Sequence, residues 1–169
     1  MDQRDYEHGG CRRASAVLGL LFLVIFGLGA VRAEACFGKR LRIAVPKDAR
    51  GALAAYAAGF FIEEKTGIEP EFVESADRGL ADGTVDLRLA AGGSAVPAGG
   101  VVGPAGEVPG TGPAQFWIRD DVLEDLRFFT VERTLGKMPA FYASRAFHEA
   151  LESPAPPKKA ARKAVLDAK

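Results

Sequence analysis

Few residues in this chain have the types and spacing for chemistry, and those that do point to binding rather than turnover. Lys47 and Asp48 follow a strand-like pattern and directly precede a helical one. That is where a helix N-terminus offers free N–H groups to an anionic or polar ligand. Ser75 and Ser94 follow two further strand patterns and add hydroxyl donors, and Trp117 offers an aromatic wall. A catalytic set does not assemble as readily. Ser94 lies in GGSAV, which lacks the last glycine of a nucleophile elbow. The turn after the first strand, PKDARG, carries neither a dinucleotide fingerprint nor a phosphate-loop lysine motif. The 2 histidines, His8 and His148, leave little material for a metal site or a Ser-His-Asp set. Asp120, Asp121, Glu124 and Asp125 pair carboxylates at helical spacing. Such residues hold a cation in some folds, but in a first helical turn they complement the dipole and cap free N–H groups, the reading preferred here. The chain is expected to be no enzyme and to hold no metal or cofactor.

The elements that position these residues follow from periodicity. Residues 40–46, RLRIAVP, alternate, with Leu41, Ile43 and Val45 on one face and Pro46 as the stop, so they predict a strand. Asp48 then reads as the N-cap of a helix with Leu53, Tyr56, Ala57, Phe60 and Phe61 on one face and Gly67 at its end. A second strand is expected over 68–73, a short helix from Ser75 or Asp77 through Leu80 and Ala81, and a third strand over 84–90. This is the rhythm of a parallel sheet. Residues 92–113 hold eight glycines and four prolines, so they read as a long loop, a linker or a segment partly ordered by its neighbours, with short extended pieces such as 101–102 able to pair at an edge. Beyond it, a short extended piece is expected at 115–118 and an amphipathic stretch after Asp120. Phe128, Phe129 and Val131 form a strand-compatible patch, and Ser144 caps a last helix with Phe147, Ala150 and Leu151 inward. The basic segment 154–169 reads as disordered.

The N-terminus bears on location. Residues 14–30 carry no charge, are preceded by Arg12 and Arg13, and are followed by Val31-Arg32-Ala33. This is the pattern of a secretory signal over residues 1–33, with an uncleaved membrane anchor as the alternative. Basic residues before the run place the rest of the chain outside the cytoplasm in either case, at the periplasm or the extracytoplasmic face of the membrane. Cys36, just after the run, is a candidate for lipidation. The 22 basic and 22 acidic side chains cancel, which argues against nucleic acid as a partner.

Taken together, RLRIAVP, the run EEKTGIEPEFVES and the later LADGTVDLRLA resemble the first lobe of a type II periplasmic solute-binding protein of ABC transporters. The matching residues are Lys65 to Ile68, Glu71 to Val73 and Leu80 to Leu87, and the resemblance covers residues 39–94. It implies binding of a small solute at the loops after the first and third strands, residues 46–48 and 92–94, and delivery to an ABC-type permease. Residues 114–153 are too few for a second lobe with its own core, so the chain reads as a shortened or degenerate member. The fold expected over 39–153 is a single α/β domain with a parallel or mixed sheet of about four or five strands flanked by helices. The function expected is non-catalytic binding of a small polar or anionic solute through Lys47, Asp48, Ser75, Ser94 and Trp117. The alternative is a membrane-tethered interaction protein of the cell envelope with no small-molecule ligand.

Overall fold

A computed structural model of the chain describes residues 40–74 and 79–168. The leader, Cys36 and Ser75 therefore lie outside the described residues. Strand β1, Leu41–Val45, buries Leu41 and Ile43 in the core shared with helix α1, Ala49–Thr66, and Val45 is buried at its end. Both ends of α1 are written locally. The Asp48 carboxylate accepts from the Gly51 N–H at 2.6 Å, and Gly67 closes the helix in the left-handed region at φ 75°, its N–H donating to the Glu63 carbonyl at 2.8 Å. The helix is buried around most of its circumference, which its many alanines allow. At Gly59 a Cβ would lie 2.6 Å from the Phe72 ring and 3.0 Å from Ile43, so the absence of a side chain sets how closely α1 lies on the sheet.

The sheet has five strands in the order β2-β1-β3-β5-β4. Strand β2, Pro70–Glu74, and strand β3, Leu87–Ala91, flank β1 in parallel. Strand β5, Gly112–Arg119, runs antiparallel to both β3 and β4, Gly100–Val108. The sheet is thus mixed, and the α/β class expected from sequence holds. The third strand starts at Leu87 instead of residue 84, because the turn before it ends only where the Val85 N–H meets the Gly79 carbonyl at 2.9 Å.

Helices α2 (Asp120–Glu124), α3 (Phe129–Leu135), α4 (Met138–Tyr142), α5 (Arg145–Leu151) and α6 (Pro157–Asp167) complete the chain. One core joins them to α1 and to one sheet face, with Leu41, Ile43, Leu87, Phe116, Ile118, Phe128, Tyr142 and Phe147 nearly or fully buried. Tyr142 donates from its hydroxyl to the Ala54 carbonyl at 3.1 Å, and its burial pushes the phenol far above its usual range. The opposite face carries a small cluster of Ala44, Leu80, Val85 and Trp117 with no helical residue in it.

Three further expectations change or narrow. Of the readings open for residues 92–113, a segment ordered by its neighbours is the one observed: they are largely a β-hairpin, not a free loop or linker. β4 tolerates glycine and proline because it is an edge strand with a bulge between Pro104 and Gly106, and Gly106 takes φ 75°. Phe128, Phe129 and Val131 belong to the start of α3, not a strand: Phe128 and Val131, three apart, are buried while Phe129 is left exposed. The basic tail is ordered as α6, so the helix capped by Ser144 is not the last. Ala160, Ala161, Ala164 and Val165 form a narrow buried stripe against α1, and the lysines and arginine point outward.

A buried ion cluster fixes the sheet. Asp86 is fully buried, and one carboxylate oxygen meets Arg42 at 3.0 Å and Arg119 at 3.1 Å. The other accepts from the Arg42 backbone N–H at 2.9 Å. Arg119 also donates to the Gly83 carbonyl at 3.0 Å and pairs with Asp121, whose carboxylate is the main reason its guanidinium is held above its ordinary range. Asp86→Ala strips both arginines of their shared partner and is expected to cost about 3–5 kcal/mol in urea unfolding. A loss below about 1 kcal/mol would show the cluster to be dispensable. For the tail, Ala161→Asp buries a charge between α6 and α1 and should cost about 3 kcal/mol or more, against about 0.5 kcal/mol for outward-facing Lys159→Asp. Equal effects of the two would contradict the docking of α6.

Candidate functional site

The carboxyl ends of β1 and β3 open into a cavity of about 640 Å³ on the side of the sheet away from α1. Its lining includes Pro46, Lys47, Asp48, Arg88, Ser94 and Trp117, with Ala44 and Ala90 between them. The size falls within the range of small-molecule sites, about 300–1,000 Å³. Four of the residues expected from sequence, Lys47, Asp48, Ser94 and Trp117, are thus brought to one place. Ser75 is not described, although β2 ends beside the same edge, with Glu74 opposite Val45.

Each position follows from a local cause. Pro46 ends β1 and leaves Lys47 and Asp48 in the three-residue step to α1, both exposed. Asp48 uses one oxygen for capping, so it holds the helix start as well as facing the cavity. Ser94 closes the turn after β3, its N–H donating to the Ala91 carbonyl at 3.2 Å, and the Gln115 amide of β5 ties its carbonyl at 2.8 Å. Trp117 stands directly opposite Arg88 in the β3–β5 ladder. The guanidinium lies 5.4 Å from the centre of the indole, a cation–π contact across the sheet. Trp117 is 9% exposed, and its indole Nε1 is buried with no hydrogen-bond partner among the described residues. Such an unsatisfied donor costs about 1–3 kcal/mol.

Arg88 is the residue that sequence reasoning missed. The alternation of β3 puts it out of phase with Leu87 and Leu89, hence on the face opposite α1, and that much was readable. Its place beside Trp117 needed the antiparallel register of β5, which no local pattern carries.

The other chemically suggestive groups are accounted for elsewhere. Asp121 pairs with Arg119 and Asp125 with Arg127, and no group of three or more potential ligands is positioned for a metal among the described residues. His148 sits on α5 with Nδ1 at 2.9 Å from the Ser144 carbonyl, and does not line the cavity. A second cavity of about 640 Å³ lies between the β2 edge, α1 and α6. There Arg162 covers Phe60 at 4.8 Å and pairs with Glu63 at 3.3 Å, Lys158 covers Phe72 at 5.4 Å, and Lys163 pairs with Asp167. Its cations serve the packing of α6, and no orphaned donor marks it.

Comparison with family models, curated proteins and solved structures finds no match to this chain.

The two roles open to Asp48 separate by substitution. Asp48→Ala should lower stability by about 1 kcal/mol through loss of the cap, whereas Asp48→Asn, which still caps, should stay within a few tenths of a kcal/mol. Urea unfolding of both variants measures this. An equal loss in both would mean that charge, not capping, is what Asp48 supplies to the fold.

Proposed function

We propose that this chain is a non-catalytic, exported binding protein for a small polar or anionic solute, related through residues 39–94 to the first lobe of type II periplasmic solute-binding proteins. The observation that carries the reading is the convergence of Lys47, Asp48, Ser94 and Trp117 on one cavity at the carboxyl ends of β1 and β3. In open α/β sheets that edge is where ligands bind, because loops there are free to vary while the strands hold their positions. The parallel β2-β1-β3 unit also supports it, since the resemblance implies strand, helix, strand, short helix, strand, and the described residues give that order with a turn over 79–84 where the short helix was expected to end.

The cavity lies on the sheet face that no helix of the main core covers. A solute there is gripped from one side and wetted on the other, so affinity should be modest, in the micromolar to millimolar range, with fast release. An ABC-type permease is the proposed acceptor. The uncharged run at residues 14–30 supports an extracytoplasmic location, and mass spectrometry of the mature N-terminus tests whether residues 1–33 are removed and whether Cys36 is acylated.

The binding reading is tested by thermal-shift screening of the full chain in mild detergent against amino acids, oxyanions, sugars and betaines. A true ligand at one hundred times its Kd should stabilise by about 2.7 kcal/mol. A double variant, Lys47→Ala with Ser94→Ala, should reduce that gain while leaving the ligand-free midpoint nearly unchanged. No stabilisation by any solute in a folded sample would sink the reading and return the chain to the class of envelope interaction proteins.

A further inference from the structure

We infer that the groove between the β2 edge, α1 and α6 holds a single-chain anionic amphiphile, an alkyl chain ending in a carboxylate. This site is separate from the cavity at the ends of β1 and β3 and does not rest on the function proposed for that cavity. The groove encloses about 640 Å³, within the range of small-molecule sites. Its exposed surface is mainly apolar, with Pro70, Phe72, Pro156 and Leu166 in the lining. Leu166 stands 51% exposed there, whereas Ala164 and Val165 beside it on α6 are buried.

The charges around this apolar surface do not balance. Four cations of α6 border it, Lys158, Lys159, Arg162 and Lys163. Against them stand three carboxylates, and each is already matched. Glu63 pairs with Arg162 at 3.3 Å, Asp167 with Lys163, and Glu69 with Arg40, which is not part of the lining, at 3.2 Å. Lys158 and Lys159 are left with no ion pair among the described residues. Lys158 lies over the Phe72 ring at 5.4 Å, a contact that leaves its ammonium without a counter-charge. Both lysines also stand in the first turn of α6, which has no side-chain cap and no acidic residue. The helix dipole makes that end positive, so the two cations are disfavoured there and an anion beside them is stabilised.

The unmatched charge and the apolar surface are separated along the helix. Lys158, Arg162 and Leu166 recur every four residues and therefore share one face of α6. From the first to the last of them the helix rises about 12 Å. The uncompensated lysines lie at one end of this line and the exposed leucine at the other, with Arg162 between them already paired to Glu63. An inorganic anion would use only the lysines, and a neutral alkyl chain only the apolar lining. A carboxylate with a tail of about that length uses both: its oxygens accept charge-assisted hydrogen bonds from the ammonium groups, and its methylenes cover Phe72 and Leu166.

Acylation of lysines by an N-hydroxysuccinimide ester, read residue by residue by mass spectrometry, follows this groove directly. The full chain in phosphatidylcholine nanodiscs is titrated with decanoate, acetate, decanol and decyltrimethylammonium. Decanoate should slow acylation of Lys158 and Lys159 at least threefold and saturably, with exposed Lys137 as the unchanged reference. The other three compounds should protect neither lysine. Lys47 reports the cavity at the ends of β1 and β3 in the same spectra, so failure at one site is distinguished from failure at the other. Leu166→Asp, a change at an exposed position, should abolish the protection, and Leu166→Met should keep it. Lys159→Gln should raise the decanoate midpoint at Lys158 several-fold. Thermal midpoints close to that of the parent chain verify that these variants fold. Equal protection by acetate, or protection that survives Leu166→Asp unchanged, overturns the amphiphile. Protection in nanodiscs doped with phosphatidylglycerol, without decanoate, assigns the face to an anionic bilayer and overturns the inference. Protection that rises with protein concentration alone assigns it to a second copy and overturns it as well. No protection at any decanoate concentration below its micelles overturns it outright.

Discussion

The buried carboxylate of Asp86 is the constraint on which the rest of the sheet depends. Two arginines reach it from different strands, Arg42 from β1 and Arg119 from the end of β5. Burying such a group is unfavourable, and the attraction between partners offsets the desolvation only when the geometry is good. Its value is therefore in register more than in net stability. The Asp86 N–H also donates to the Arg42 carbonyl at 2.7 Å, and the Arg119 N–H donates to the Asp86 carbonyl at 3.0 Å. Main chain and side chain thus agree on one alignment of β1, β3 and β5. Because side chains alternate with period two, that alignment sends Arg88 and Ala90 to the same face as Asp86, and Trp117 to the same face as Arg119. A slip by one residue would exchange Arg88 with Leu87 and place a leucine beside Trp117. The cavity and the ion cluster are two ends of one sheet face, and the cluster aligns the strands that form it.

The opposite face follows a different logic. There the sheet meets α1, whose small residues let it approach closely, with Phe72 filling the space beside Gly59 between Tyr56 at 4.7 Å and Phe60 at 5.2 Å. A helix buried on so many sides needs cover on its outer surface, and α3 and α6 supply it. That is why a lysine-rich segment is ordered here. Its buried stripe is only alanine and valine, too little apolar area to register in composition, yet sufficient when the partner helix is also alanine-rich. Lys158 and Arg162 then lie over Phe72 and Phe60, so their stems and charges serve packing too.

What was legible in the sequence was local. β1, α1, the cap at Asp48, the stop at Gly67 and the cap at Ser144 are each written in a handful of adjacent residues, and each stands where it was expected. The segment 92–113 was not legible, because glycine and proline lower the odds of any regular element unless a neighbouring strand supplies the hydrogen bonds. β5 does so, and at an edge only half of the β4 backbone needs a partner. The same distinction divides the site. Lys47, Asp48 and Ser94 follow from the rule that loops at strand ends gather on one edge. Arg88 does not, because its role depends on which residue of a strand some thirty positions away lies opposite.

That dependence gives the site its particular character. Most of its polar groups stand on loops and could drift, whereas Arg88 and Trp117 are held in the β3–β5 ladder. The fold keeps a buried indole N–H without a partner among the described residues, and with it a cost of about 1–3 kcal/mol. Replacing Trp117 by phenylalanine would remove that cost, so a fold selected for stability alone has no use for the indole.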